Sequence, residues 1–456
     1  MSVQTEPIRT GPGKIEPVGI DRLLSARDAL ALPGAGLDWV DSIRRAGARR
    51  LTELGLPTLR DEDWKYTSIK PIARHLFAPA AAGGDLEPED LRGFDIPELD
   101  AHRVVLAGGY FAPALSSTGD LGDGVRICGL AQAIKEEPSL VQPWLGRLAD
   151  DAEHGFRALN SAFLQDGVVI MVPEGRRIEK PIELCCIQRS DSEELVTQPR
   201  HLVVAGEGSS FTLIERYLSV HATRYLTNTI TEVFAGPGAR IEHYKIQQES
   251  TRGYHIGSWL IEQQAGSVVG AHNVALGGAI ARTDIRVRLT GAQATCILNG
   301  VYVPGGRQHI DNHTRVDHLV ADTASREFYK GVLDGRSRAV FHGRVIVHPD
   351  AQRSDAHQQN KNLLLSRDAE IDTKPQLEIY ADDVACSHGA TVGQLDDEAL
   401  YYLRTRGVSE QTARSLLTFA FANDVIDKFG LPPVRRFVEH ALTSKMFAVA
   451  DLEEMI

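Results

Sequence analysis

Between residues 101 and 395 the chain is a succession of short runs rich in Val, Ile, Thr and Tyr. Examples are RHLVVAGEGSSFTLIERYL, TITEVFAGPGARIEHYKI, WLIEQQAGSVVGAHNVAL, TDIRVRLTGAQATCILNGVYV and AVFHGRVIVHPDAQ. Ile285, Val287 and Leu289 alternate with Arg286 and Arg288, the period-two pattern that gives a strand one apolar face. Long helical periodicity is nearly absent from this interval. A turn recurs between the runs, a Gly or Asp followed by small or polar residues, at Gly206, Gly236, Gly266, Gly291, Gly335, Asp350 and Asp368. Several of the intervals are 30, 30, 25, 15 and 18 residues. That rough period favours a stack of β-coils burying side chains between rungs, although a large sandwich gives the same texture.

Helical patterns flank this region, and the chain divides into a mostly helical part over 1–100, a β-rich core over 101–395 and a helical part over 396–456. In LDWVDSIRRAGARRLTELGLP, Asp38 is a candidate N-cap. Val40, Ile43, Ala46, Leu51 and Leu54 fall near one face, and Gly55-Leu56-Pro57 stops the helix. The charged stretch around Trp64 and Tyr66 has no assigned role, and residues 79–90, PAAAGGDLEPED, read as a flexible link. Near the C-terminus, Asp396 caps DEALYYLRTR, with Gly407 as its stop. Ser409 caps a longer helix with a stripe of Ala413, Leu416, Leu417, Ala420, Phe421 and Val425. Gly430-Leu431-Pro432-Pro433 separates it from a third helix carrying Val434, Phe437, Val438 and Leu442. Such a unit can cap a solenoid and dock a partner.

Composition narrows the function. The 456 residues carry a formal charge of -12, which argues against a nucleic-acid surface. The N-terminus MSVQTEPIRTGPGKIEP has no apolar signal core, and no apolar run approaches the ~20 residues of a membrane span, so a cytoplasmic protein is expected. The five cysteines, Cys128, Cys185, Cys186, Cys296 and Cys386, form no CxxC pair and read chiefly as small buried hydrophobes. Cys185 and Cys186 point to opposite faces of a strand. There is no P-loop, GxSxG elbow, HExxH helix or EF-hand. His309, His313 and His318 are spaced by four and five, which favours buried or surface roles over a shared metal. Asp284, Asp311 and Asp317 could serve a glycan-cleaving β-helix, but such enzymes are usually exported, and aromatic residues amount to only 6%. In ADDVACSHGATVGQL, Cys386 and His388 share a face if the stretch is a strand. The bland reading is packing at the last turn of the stack. The functional one is a thiolate and an imidazole, half of an iron–sulfur ligand set that another chain completes.

The last of these stretches also carries a resemblance. Residues 357–426, HQQNKNLLLSRDAEIDTKPQLEIYADDVACSHGATVGQLDDEALYYLRTRGVSEQTARSLLTFAFANDVI, resemble the SufB/SufD family of SUF-system iron–sulfur assembly subunits. DEDWKYT at 61–67 and ALNSAFLQDGVVIMVPEG at 158–175 agree. SufB-like chains show a TQCDSLLIG-type stretch, where this chain has TKPQLEIYA and Pro375 in place of the cysteine. They also carry an acidic residue in EHEATT, where this chain reads CSHGATV. Both differences point to the SufD branch. The resemblance implies a mainly β fold, a right-handed parallel β-helix core flanked by N- and C-terminal helices. It implies a non-catalytic scaffold that pairs with SufB and docks the ABC-type ATPase SufC, where ATP is hydrolysed. His388, with Cys386 as a second candidate, would sit at the boundary with SufB beside a transient Fe–S cluster. No cofactor is expected to be held tightly by this chain alone. Tyr401, Tyr402, Leu403, Phe419 and Phe421, within residues 396–428, are the expected ATPase-docking surface. The rival reading is an autonomous scaffold, a homodimer carrying its own cluster, which five scattered cysteines disfavour.

Overall fold

A computed structural model describes residues 18–28, 30–82, 86–149, 154–189 and 194–446. The N-terminal seventeen residues, read above for a signal core, and residues 83–85 of the expected link lie outside it. The chain is mainly β, a parallel solenoid of about seven turns flanked by helices at both ends of the sequence. Each coil gives one strand to each of two sheets. One sheet holds Arg200–Ala205, Tyr225–Ala235, Tyr254–Gln263, Ile280–Leu289, His309–His318, Arg338–Val347 and Glu370–Ile379 in spatial order. The other holds Ile182–Gln188, Ser210–Ser219, Arg240–Gln247, Val268–Ala275, Thr295–Tyr302, Ala324–Leu333, Asp355–Leu364 and Ala385–Gly393. Every pairing between these coils is parallel. The inward rows, among them Leu213, Val269, Cys296, Ile285, Val287 and Phe341, form the largest apolar core. The alternation read at Ile285, Val287 and Leu289 is the inward face of one strand.

A corner with left-handed backbone recurs once per coil. Gly208, Gly238 and Gly266 have φ of 62, 66 and 65°, and the next three corners, with φ of 61, 62 and 56°, fall to Gln293, Asp322 and Arg353. The corners bond to each other along the stack: Gly208 N–H to Pro237 O, Gly238 N–H to Ala265 O, Gln293 N–H to Asp322 O. Of the turn residues read from the sequence, Gly266 is the one that sits at this corner. Gly206, Gly236 and Gly291 stand two residues before it, and from Gln293 onward side chains other than Gly hide the period.

Helices cover the outer sides of both sheets. The helix Asp38–Leu54 starts from Leu37, which makes no side-chain cap, so Asp38 is a first-turn residue and not the N-cap expected. Gly55 ends it with φ of 70°. The strand texture of 101–395 also conceals helices at Leu130–Glu136, Pro138–Val141 and Gly155–Phe163. The last of these is buried at every position, so its composition shows no amphipathic period to read. It crosses Asp38–Leu54 at Gly47, where a β-carbon would meet Ala162 N at 2.6 Å and Ala158 O at 2.9 Å. Residues 79–90 are not simply a link, because Ala78–Pro79 pairs in parallel with Leu195–Val196 and Pro88–Leu91 forms a helical turn with a capping box.

Of the C-terminal helices Asp397–Thr405, Glu410–Ile426 and Pro432–Met446, the last two lie on the second sheet and the first packs on Glu410–Ile426. Asp396 accepts from Glu398 N and Ala399 N, and Ser409 accepts from Thr412 N, as read from the sequence. Gly407, at φ 88°, follows the first helix. The buried face of the second helix is Ala413, Ser415, Thr418, Ala422, Val425 and Ile426. Ala420 is exposed and Leu416 and Leu417 only half-buried. Small residues face the sheet here because the helix sits close over it, packed with Val301, Val303 and Val332. No described helix is long and apolar enough to cross a membrane.

Candidate functional site

Both sheets end on strands of the last coil. Among the described residues, Glu370–Ile379 pairs only with Arg338–Val347, and Ala385–Gly393 only with Asp355–Leu364, so each leaves one edge without a described strand partner. Cys386 stands beside Ala356 and His388 beside Gln358 in parallel register. Ala356 and Gln358 are buried, so Cys386 and His388 share the inward face of a coil with nothing stacked beyond it. His388 is consequently exposed. Cys386 is half-buried among Val345, Val347, Ala356 and Leu377. Burial raises its thiol, with the Asp355 carboxylate adding to the rise, so the group stays protonated at neutral pH until a metal displaces the proton.

Behind His388 the interior is polar. Gln358 Nε2 donates to Glu327 Oε2 at 2.5 Å. Burial pushes the Glu327 carboxyl up to about 7, against the lowering effect of its bonds with Gln358 and Thr314. His388 also borders a cleft of about 910 Å³ beside the end of the helix Glu410–Ile426, where His272, His357, Lys361 and Lys428 converge. His357 bridges Ser387 Oγ at 2.5 Å and Asp355 Oδ1 at 2.9 Å. Pro375 lies opposite Gly343 in the edge strand Glu370–Ile379, where a residue without an N–H is tolerated. Ile379, Tyr380 and Val392 of this coil are large apolar side chains left exposed.

Residues 187–421 match the family model described as SUF system FeS cluster assembly, SufBD core domain, and residues 29–184 match the SufBD protein N-terminal region. The chain belongs to the SufBD family. An iron–sulfur cluster assembly SufBD family protein of Synechocystis is 31% identical over 427 residues, 92% of this chain and 94% of the relative. The iron–sulfur cluster assembly protein SufD of Escherichia coli is 32% identical over 387 residues, 83% of this chain and 86% of that protein. A chloroplastic protein of Arabidopsis thaliana is 29% identical over 416 residues, 89% of this chain and 85% of its own length. SufBD membership and the SufD likeness support a role in iron–sulfur cluster assembly.

Elsewhere in this SufBD chain the residues singled out from sequence separate into two sets. Tyr401 and Tyr402 are 70% and 58% exposed and line a shallow hollow with Asp397, Leu403 and Leu417. Phe419 is half-buried. Phe421 faces the solenoid: Lys330 Nζ lies 4.4 Å from its ring centroid and donates to its carbonyl at 2.8 Å. It fastens the helix to the sheet and is not part of the exposed surface. Cys185 and Cys186 do face opposite ways, into a satellite cluster and into the main core respectively. The three histidines of His309–His318 are also divided. His309 Nε2 meets Thr67 Oγ1 at 2.8 Å, and His318 is buried between Thr323 and Ser325. His309 and His313, four apart, do share the outward face of this strand, because four is an even step. Sequence reasoning missed the pair Arg200 and Glu232, both fully buried, since charged residues in a strand read as solvent-facing.

Proposed function

We propose that this chain is the SufD-type subunit of a SUF assembly complex, a non-catalytic scaffold working in the cytoplasm. The open last coil carries the reading. It pairs end-on with a SufB-type chain, which adds strands to both free edges and covers Ile379, Tyr380 and Val392. That docking brings His388, with Cys386 beside it, to the boundary, where the partner supplies the other ligands of a transient Fe–S cluster. One imidazole and one thiol cannot hold a cluster alone, and dividing the ligands lets a small relative motion of the subunits release it. The ATPase subunit, of SufC type, docks on the hollow around Tyr401 and Tyr402 and hydrolyses the ATP.

The test is co-expression with SufB-type and SufC-type partners and anaerobic measurement of bound iron and sulfide in wild type and His388→Ala, at equal subunit ratio. Loss of cluster from an intact complex is the expected result. Unchanged cluster content would reduce Cys386 and His388 to packing. The same free edges admit a second copy of the chain, so a homodimer carrying cluster without partners would favour an autonomous scaffold. The family match leaves the glycan-active reading without support.

A further inference from the structure

The outer side of the first sheet carries a second constellation, away from the inward face of His388. The strands His309–His318 and Arg338–Val347 set His313 directly beside His342, with ring centroids 4.8 Å apart and edge to face. The single turn Glu62–Trp64 crosses over them and delivers Asp63. Ligand atoms of Asp63, His313 and His342 all lie within 4.8 Å of one another. The turn is fixed in place. Trp64 is 2% exposed, its ring lies 3.9 Å from the Arg282 guanidinium, and Arg282 Nη1 donates to Asp63 O at 2.6 Å.

The hydrogen bonding leaves the His342 ring with a free lone pair facing Asp63. His342 is 6% exposed, and its Nε2 lies 2.6 Å from Gln376 Oε1. An acceptor there fixes the proton on Nε2, so the lone pair is on Nδ1. Nδ1 stands 3.8 Å from Asp63 Oδ1, which sets two acceptors against each other. His313 Nε2 is hydrogen-bonded with Arg282 Nη1 at 3.1 Å, which also donates to Asp63 O and Asp311 Oδ2. Nε2 also lies 3.0 Å from Asp311 Oδ1, so the His313 ring is oriented from its Nε2 edge. Carboxylate-backed and amide-backed imidazoles of this kind are how metal-binding histidines are oriented.

The spacing also suits an ion. Metal–nitrogen and metal–oxygen bonds of about 2.1 Å span the 3.8 Å between Nδ1 and Oδ1 at an angle of roughly 130°. The neighbouring cations are already neutralised: Arg282 by Asp284 and Asp311, Arg344 by Glu378, Lys374 by Glu62. We propose that Asp63, His313 and His342 bind one divalent first-row transition-metal ion, of the ferrous or zinc class that two imidazoles and one carboxylate suit. Water fills the remaining positions. The ion fastens the Trp64 turn across two strands of the solenoid.

The full-length chain, stripped with chelator, is titrated with Zn(II) by calorimetry and with Co(II) by visible absorption. Wild type should take up one ion per chain, with d–d bands of nitrogen and oxygen coordination. Asp63→Asn and His342→Ala should each weaken binding tenfold or more, and His440→Ala, at an exposed position of the last helix, should leave it unchanged. Asp63 is at the surface, so Asp63→Asn keeps its circular dichroism and tests the site even where His342→Ala fails to fold. Equal affinity in wild type and Asp63→Asn, or loss of the ion in His440→Ala alone, would overturn the assignment. The measurement needs no partner subunit, so its outcome is separate from that of the cluster experiment.

Discussion

Replacing Glu232 by Gln tests what joins the N-terminal layer to the solenoid. Its carboxylate is fully buried and accepts from Arg200 Nε and Nη2 at 3.0 and 2.8 Å. It also accepts from the backbone N–H of Gly146 and Leu148 at 2.9 and 2.8 Å. Arg200 in turn reaches Asn160 and Ser161 of the buried helix. The amide keeps the shape but removes the charge and turns two of its hydrogens toward donors. Breaking one side of a buried pair costs about 3–5 kcal/mol, because the remaining charge stays desolvated. That energy corresponds to exchange roughly two to three-and-a-half orders of magnitude faster for amides released by local opening. Hydrogen exchange read by mass spectrometry should show this for residues 146–148 and 155–163, with the strands beyond Tyr254–Gln263 unaffected. The double variant Arg200→Met/Glu232→Leu should recover protection at 155–163, since an apolar pair of similar volume carries no desolvated charge, but not at 146–148, whose N–H groups lose their acceptor. Acceleration below tenfold in Glu232→Gln, or no recovery at 155–163 in the double variant, would refute the claim that this ion pair is a linchpin.

Two further outcomes are expected. Glu327 has its carboxyl raised by burial from 4.5 to about 7, so the folded state holds a proton there that the unfolded state has released. Stability contributed by that proton is complete below pH 4.5 and is lost as pH rises toward 7. Glu327→Gln should therefore be more stable than wild type at pH 8 by up to about 3 kcal/mol, with the gap closing below pH 4.5. Urea denaturation across that range checks it, and a gap independent of pH would contradict it. Tyr401→Ala and Tyr402→Ala, both at exposed positions, should leave thermal stability unchanged and weaken binding of the ATPase subunit about tenfold each, as read by calorimetric titration.

The sequence carried the C-terminal helices well because their boundaries are set locally: Asp396 and Ser409 bond the amides that the spacing assigned to them. Coil texture was legible for the same reason, since inward and outward residues alternate within each strand. The N-terminal layer was not. Gly155–Phe163 is buried all round, and the contact that positions it, Gly47 against Ala158 and Ala162, joins residues over a hundred apart. Cys386 and His388 could be placed on one face from parity alone. Asp63 and His342 could not be joined to His313, because the link depends on strand register and on a turn crossing from another part of the chain. The helix stripe went astray at Ala420 because it was drawn through apolar residues alone. Close approach to the sheet selects Ser415, Thr418 and Ala422 instead.

The two ends of the stack differ. At the start, the sheets terminate in the short strands Arg126–Gly129 and Tyr110–Phe111, which run antiparallel to their neighbours. At the finish, two parallel edges of nine to ten residues stand open. A solenoid with two matching open ends would be a monomer of a fibre, each copy templating the next. With one end turned back on itself the interaction is isologous or heterologous once only, and then closes. Stacking through the open end alone would therefore count to two and stop. The polarity of the coil would double as a limit on assembly size, and the open strand Glu370–Ile379 adds gatekeepers of its own in Asp372, Lys374, Pro375 and Glu378.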